Sequence, residues 1–176
     1  KQNVQTDGNG LKKVIVGIDK FEPYTYLDVD GKYTGVDIEI AERVFHKLGY
    51  KPEFKFITWS EKNDDLADGA IDCIWSCYSM NNRENDYQWA GPYLYSRQVI
   101  AVSSDSSIQT FEDLSDKSVG VQITTRAANL FLHTINSSLP EVKEVDSFAT
   151  TEDMFAALRK GYVDAVAGHE ALLNEF

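Results

Sequence analysis

Shortages in this sequence exclude several classes of function before any pattern is sought. Cysteine occurs only twice, as Cys73 and Cys77 with Ile-Trp-Ser between them. That spacing is not the Cys-x-x-Cys of a redox pair, and without a nearby histidine it makes a poor zinc set. The two read as small apolar residues near a strand end. A disulfide between them is disfavoured if Cys73 lies in a strand, because the Cα atoms must approach within ~7 Å at the correct angle. Long hydrophobic runs are also missing: stretches such as Val99–Val102 and Ala165–Ala167 fall far short of the ~20 residues that span a bilayer. Basic residues are few, 17 against 28 acidic ones, for a net charge of −11. They are scattered, with Lys12-Lys13 and Arg159-Lys160 the only adjacent pairs, so no basic patch awaits phosphates and no nucleic-acid partner is expected. Neither a G-x-G-x-x-G nor a G-x-x-x-x-G-K-S/T loop occurs, and there is no G-x-S-x-G or H-E-x-x-H. His46, His133 and His169 lie far apart, and the first two sit in helical patterns with no second ligand nearby. No metal or cofactor is expected.

What is present is an ordinary globular composition, 43% apolar and 26% charged over 176 residues, enough for one domain or two small lobes. Residues 1–13 open with a polar stretch rich in Gly and Asn. It reads as a leader of the kind left by a cleaved signal or lipid-anchor segment, although a cloning boundary explains it equally. From Val14 short apolar runs alternate with helical spacing. Val14–Ile18 reads as a strand, and Tyr24–Lys32 with Asp30-Gly31 as a hairpin. Val36 through Leu48 has the 3.6 period of a helix with Gly49 as its stop. Glu53–Phe56, Ile71–Trp75 and Tyr95–Val102 read as further strands, with a short helix from Thr58 to Leu66. After Ser103–Ser107, the best linker candidate, come strands at Ser118–Val121, Val142–Val145 and Ala165–Ala167. Helices at Arg126–Asn136 and Glu152–Lys160 separate them. This alternation predicts an α/β protein of parallel βαβ units, with one lobe over 14–102 and a second over 103–176.

In open parallel sheets ligands bind beyond the carboxyl ends of strands. The residues there are Asp19 and Phe21, then Trp59, then Ser79 and Arg83, then Gln122, Thr124 and Thr125, and finally His169 with Glu170. An aromatic pair, one guanidinium, hydroxyls and acidic groups suit a small zwitterion, because Arg forks onto a carboxylate. Thr124 and Thr125 at a helix start add N–H groups for an anion. Each residue also has a plainer reading. Trp59 is an ordinary core residue if its N–H is satisfied, and Arg83 beside Glu84 and Asp86 is a plausible surface ion pair. Asp19 and the two threonines are common capping residues. Only their joint placement after successive strands favours a site.

Several stretches in order carry a resemblance. They are Val16-Gly17-Ile18-Asp19 with Phe21-Glu22-Pro23-Tyr24, Tyr33-Thr34-Gly35-Val36-Asp37-Ile38-Glu39-Ile40-Ala41, and Trp59. Leu66-Ala67-Asp68-Gly69-Ala70-Ile71-Asp72-Cys73-Ile74 follows, then Ser79 with Arg83, and Trp89-Ala90-Gly91-Pro92-Tyr93. Phe111-Glu112-Asp113-Leu114, Lys117-Ser118-Val119-Gly120-Val121-Gln122 and Val163-Asp164-Ala165-Val166 complete the set. From Val14 onward the chain resembles the extracellular solute-binding proteins of amino-acid ABC importers, the two-lobed Venus flytrap family.

The resemblance implies a non-catalytic protein that binds an amino acid in the cleft between two lobes and delivers it to a membrane permease. Arg83 would hold the ligand carboxylate with help from Thr125, and Phe21 and Trp59 would sandwich the side chain. Asp19, Ser79 and Gln122 would make polar contacts, and residue 77 would contribute its backbone. An extracytoplasmic location follows, periplasmic or lipid-anchored, and a monomer is expected. Three positions depart from the family pattern: Cys77 stands where glycine is usual, Ile123-Thr124-Thr125 where Gly-Ser or Gly-Thr is usual, and His169 where an aspartate binds the α-ammonium. Family members also return to the first lobe after the second, so a truncated second lobe with exposed apolar surface is expected here. The rival readings are a sensor domain of a membrane receptor kinase, a dehydratase on the same fold, and the non-catalytic half of a lytic transglycosylase.

Overall fold

A computed structural model describes residues 10–132 and 139–174. The chain divides into two compact units between Tyr78 and Ser79.

In the first unit β1 (Lys12–Ile18) is the middle strand. The hairpin β2 (Tyr26–Leu27) and β3 (Tyr33–Thr34) follows, its turn held by Asp28 Oδ1, which accepts the N–H groups of Asp30 and Lys32 at 2.9 Å each. Helix α1 (Val36–Lys47) buries Asp37, Ile38 and Ala41, whereas Val36, Val44 and Leu48, which the 3.6 period sets with Ala41 on the core face, are exposed. Next come β4 (Tyr50–Phe56), a 3-10 turn over Trp59–Glu61, α2 (Lys62–Ala67) and β5 (Cys73–Ile74). The sheet order is β4-β1-β5 with both pairings parallel. Val16, Ile18 and Ile38 form the buried centre, flanked by Phe45, Phe54, Phe56 and Trp75. The first strand begins at Lys12, inside the segment expected as leader.

The second unit contains β6 (Gln98–Val102), a 3-10 turn over Glu112–Leu114, β7 (Ser118–Gln122), α3 (Arg126–Leu132), β8 (Glu144–Phe148), α4 (Thr151–Arg159), β9 (Ala165–His169) and α5 (Glu170–Leu173). The order is β6-β9-β7-β8. Strand β7 runs parallel to β8 and β9, while β6 is antiparallel to β9. Both faces of this sheet are covered, so adjacent residues of one strand enter different cores. Ala165 and Ala167 pack with Leu114, Val119 and Val121, whereas Val166 packs with Met154, Phe155 and Leu173. Thr150 caps α4 by accepting the Asp153 N–H, one of the donors a helix start otherwise leaves unpaired. The expected end of the helix at Asn136 lies outside the described residues, as does His133.

One expectation changes. Gln98–Val102, assigned above to the first lobe, belongs to the second unit, because it pairs along its whole length with Ala165–His169. Ser103–Ser107 is therefore a turn within that unit, with the Ser106 N–H on the Ser103 carbonyl at 2.9 Å, and the division falls after Tyr78 rather than after Val102.

Gly35 sets where α1 begins. Its φ is +118°, and a Cβ there would stand 2.2 Å from the Tyr24 carbonyl oxygen. Only glycine lets the Asp37 N–H donate to that carbonyl at 3.0 Å. Gly35→Ala is expected to destabilise the protein by about 1–3 kcal/mol or more, read as a lowered urea midpoint; an unchanged midpoint would show that the helix start can shift without cost.

Candidate functional site

In the first unit, parallel pairing places the carboxyl ends of β1, β4 and β5 at one edge of their sheet. Asp19 leaves β1 there. Its N–H donates to Ser76 Oγ at 3.1 Å, and its carbonyl accepts the Thr25 hydroxyl at 2.5 Å. Its Oδ1 accepts the N–H of the adjacent Lys20 at 2.9 Å. Thr25 and Ser76, both buried, are site-supporting hydroxyls that sequence reasoning missed. The Phe21 ring is buried against Tyr24, with centroids 5.5 Å apart. Trp59 is buried and meets Tyr78 edge-on at 5.2 Å and 89°. Under both rings lies Lys62, 2% exposed. Its Nζ donates to the Trp59 carbonyl at 3.0 Å and sits 4.9 Å from the Trp59 ring centroid and 5.5 Å from that of Tyr78. A lysine is rarely buried, so its spacing of three from Trp59 carried no warning; here the carbonyl and two π-faces receive the ammonium.

Cys77 adopts φ +49°, the left-handed region that costs a side chain ~1–2 kcal/mol. That backbone explains why glycine suits this position. The Cys77 N–H donates to Oδ2 of Asp37 at 3.1 Å, and Asp37 is 1% exposed in the first turn of α1. The same carboxylate, after burial, helps push the Cys77 thiol pKa far up. Asp37 thus does more than complement the helix dipole, because it fixes the loop after β5.

In the second unit Arg83 is 8% exposed and ties its loop to the next strand end. Its Nη1 donates to the Ser79 carbonyl at 3.1 Å and its Nη2 to the Thr124 carbonyl at 3.2 Å, while its own carbonyl accepts the Trp89 indole N–H at 2.9 Å. Thr124 holds its carbonyl there at φ +58°, an outlier for a β-branched residue. Thr125 is a helix cap: its hydroxyl donates to the Gln122 carbonyl at 2.7 Å and accepts the Ala128 N–H at 3.2 Å. The Gln122 amide is held by the carbonyl of Ala149 and the hydroxyl of Thr151, each at 3.4 Å. Thr151 follows β8 at the same edge, so the rule that found the others could have found it.

His169 ends β9, opposite Gln98 in the antiparallel register. Gln98 Nε2 lies 3.0 Å and Ser96 Oγ 3.2 Å from Nδ1 of the imidazole. Burial, and then the charge of Arg83, hold the His169 pKa below its ordinary 6.5. Glu170 faces Arg97, which donates through Nε at 3.0 Å and through Nη2. Gln98 and Ser96 escaped sequence reasoning because β6 enters from the opposite direction. Among the described residues no His, Cys, Asp and Glu cluster could hold a metal, and no helix is long and apolar enough to cross a membrane.

Residues 14–155 match the profile of the bacterial extracellular solute-binding proteins, family 3. The chain is 33% identical over 159 residues to a probable amino-acid ABC transporter-binding protein of Haemophilus influenzae, covering 84% of this chain and 62% of that protein. It is 30% identical over 157 residues to the L-cystine-binding protein TcyA of Bacillus subtilis, covering 88% and 56%. It therefore spans only about three-fifths of these curated relatives. Among solved structures, an ancestral arginine-binding protein bound to arginine superposes with a TM-score of 0.82 at 30% identity, over 93% of this chain and 72% of that one. A substrate-binding protein of an ABC uptake transporter from Streptococcus pneumoniae with bound histidine gives 0.84 at 26% identity, over 92% and 68%.

Two outcomes follow from this geometry. Thr124 is exposed, so Thr124→Gly loses no buried surface and relieves the left-handed strain. It is expected to raise stability by about 0.5–1 kcal/mol in urea titration; a loss would show that the strained backbone is not kept in solution. The His169 value is lower folded than unfolded, so the unfolded chain takes up the proton first. Its contribution is complete above about 6.5 and is lost as pH falls through that value towards the folded-state one. Urea midpoints of the wild type should fall between pH 7.5 and 5.5 by more than those of His169→Asn. Parallel profiles would place the imidazole in water.

Proposed function

Because the chain belongs to the bacterial extracellular solute-binding proteins of family 3, we propose that it binds an amino acid or a similar small zwitterion outside the cytoplasmic membrane and delivers it to the permease of an ABC importer. The observation that carries this reading is Arg83. A guanidinium 8% exposed and braced on two backbone carbonyls is a fixed planar cation of the kind that recognises a carboxylate. With its hydroxyl committed to the cap, Thr125 offers the carboxylate its backbone N–H instead. Phe21, Trp59 and Tyr78 supply apolar surface for a ligand side chain, and Asp19, Cys77, Ser79, Gln122 and Thr124 supply polar or backbone contacts. The names of relatives support an amino-acid ligand, since they bind cystine, arginine and histidine. One structural neighbour is an ancestral amino-acid-binding protein described as a precursor of cyclohexadienyl dehydratase. A dehydratase would need a positioned acid, but Glu170 is paired with Arg97 and the imidazole of His169 is held neutral, which supports a binding role over a catalytic one.

Titration calorimetry with L-arginine, L-histidine, L-cystine and L-glutamate is the test. At least one is expected to bind, and Arg83→Lys is expected to weaken it at least ~30-fold, since truncating one partner of a buried charged pair costs about 2–5 kcal/mol. Arg83→Ala also leaves the Ser79 and Thr124 carbonyls without their guanidinium donor, so its melting temperature should fall as well. If Arg83→Lys binds within about threefold of wild type, the carboxylate is held elsewhere, with Arg126 at the start of α3 the next candidate.

A further inference from the structure

Lys62, 2% exposed at the start of α2, stands where a lysine is disfavoured twice over. Burial strips water from the ammonium, and the N-terminal end of a helix opposes a positive charge. Local geometry nonetheless delivers it there. The preceding turn over Trp59–Glu61 is a 3-10 turn, closed by the Glu61 N–H on the Thr58 carbonyl at 2.8 Å. Side chains three apart eclipse in such a turn, so Lys62 folds back over Trp59. Its Nζ donates to the Trp59 carbonyl at 3.0 Å.

The ammonium then meets two rings rather than one. It stands 4.9 Å from the Trp59 centroid and 5.5 Å from that of Tyr78, and the two centroids are 5.2 Å apart at 89°. The three separations are nearly equal, and each ring lies within the ~6 Å over which a cation and a π-face attract. Tyr78 comes from a different loop. Cys77 before it is fixed by a left-handed φ and by its N–H on the Asp37 carboxylate at 3.1 Å. That settles where the tyrosine begins but not where its ring points. The contacts with Lys62 and Trp59 supply the direction. Trp59 is buried and Tyr78 half-buried, so what Tyr78 still exposes is oriented by contacts made on its buried side.

We propose that Lys62 is a positioning residue for ligand binding: its ammonium pins the Trp59 and Tyr78 rings at right angles and so presets the wall that receives the ligand side chain. The inference rests on the part given to those two rings in the function proposed above. A wall already set needs no further ordering when the ligand arrives, whereas each ring left free to turn would lower affinity about two- to tenfold. Lys62 itself touches no ligand and acts through the rings.

The test reads the rings and the affinity separately. The protein is labelled with fluorotryptophan, and the Trp59 signal among its three tryptophans is assigned in the fluorine NMR spectrum by its loss in Trp59→Phe. In Lys62→Met that signal is expected to shift and broaden, while those of Trp75 and Trp89 stay in place. Titration calorimetry with L-arginine, L-histidine, L-cystine and L-glutamate should show at least about a fivefold loss for the ligand that the wild type binds best. Lys62→Gln keeps a donor for the Trp59 carbonyl and removes only the charge. It is expected to give the same two changes, and it guards against a fold defect in the first variant. In a Tyr78→Leu background either substitution should lose much less affinity, because little is left for the ammonium to orient. An unmoved Trp59 signal, an affinity within about twofold of wild type in both Lys62 variants, or an equal loss in the Tyr78→Leu background would overturn the inference and leave the amino-acid-binding reading intact. No binding of any of the four by the wild type would remove that reading, and the role of Lys62 in binding with it.

Discussion

A parallel strand pair cannot be joined by a tight turn, because each connection must cross back over the face of the sheet before the next strand begins. That constraint orders everything else in this protein. In the first unit it brings the ends of β1, β4 and β5 to one edge, and the loops that leave them hold Asp19, Trp59 and Cys77. In the second unit the ends of β7, β8 and β9 share an edge, with Gln122, Thr151 and His169 on it. Helices occupy the return paths, so they supply the apolar cover of the sheets and leave the polar chemistry to the loops.

The loops are not relaxed. Cys77 and Thr124, each a few residues beyond a strand end, hold left-handed backbone that a side chain resists. In both places a charged side chain meets the strained segment. The carboxylate of Asp37 receives the Cys77 N–H, and the guanidinium of Arg83 donates to the Thr124 carbonyl. Charge-assisted hydrogen bonds are about twice as strong as neutral ones, so each is of a size to offset the strain beside it. The same side chains are buried, which ties the conformation of the loops to the packing beneath them.

Much of this was legible in the sequence, and the failures have physical causes. Helix α4 was expected one residue from where it lies, because Met154, Phe155 and Leu158 mark a stripe with the period of a helix. Strand β8 was expected two residues too early. It is an edge strand in which only Val145 and Phe148 are apolar, with Asp146 and Ser147 between them, and its position is set by the register with β7 rather than by an apolar run. Strand β6 was recognised as a strand, but its partner was not, since nothing in Gln98–Val102 says which sheet it joins or in which direction. That missing direction also hid Gln98 and Ser96. Tyr78 and Lys62 escaped because a tyrosine in a polar loop and a lysine at a helix start are ordinarily solvated; only their packing on Trp59 gives them a place in the site.

The two thiols bear on how the protein endures its surroundings. The family is extracellular, and secreted proteins live among oxidants that pair or over-oxidise exposed cysteines. Cys73 and Cys77 are both unpaired. Burial, with Asp72 adding to it, pushes the Cys73 pKa up to about 11, and burial beside Asp37 pushes that of Cys77 higher still. Since the thiolate is the form that reacts, at neutral pH these thiols present little of the species that peroxide or a foreign disulfide attacks. Chemical inertness here is first a by-product of burial, to which the carboxylate that anchors the loop adds at Cys77.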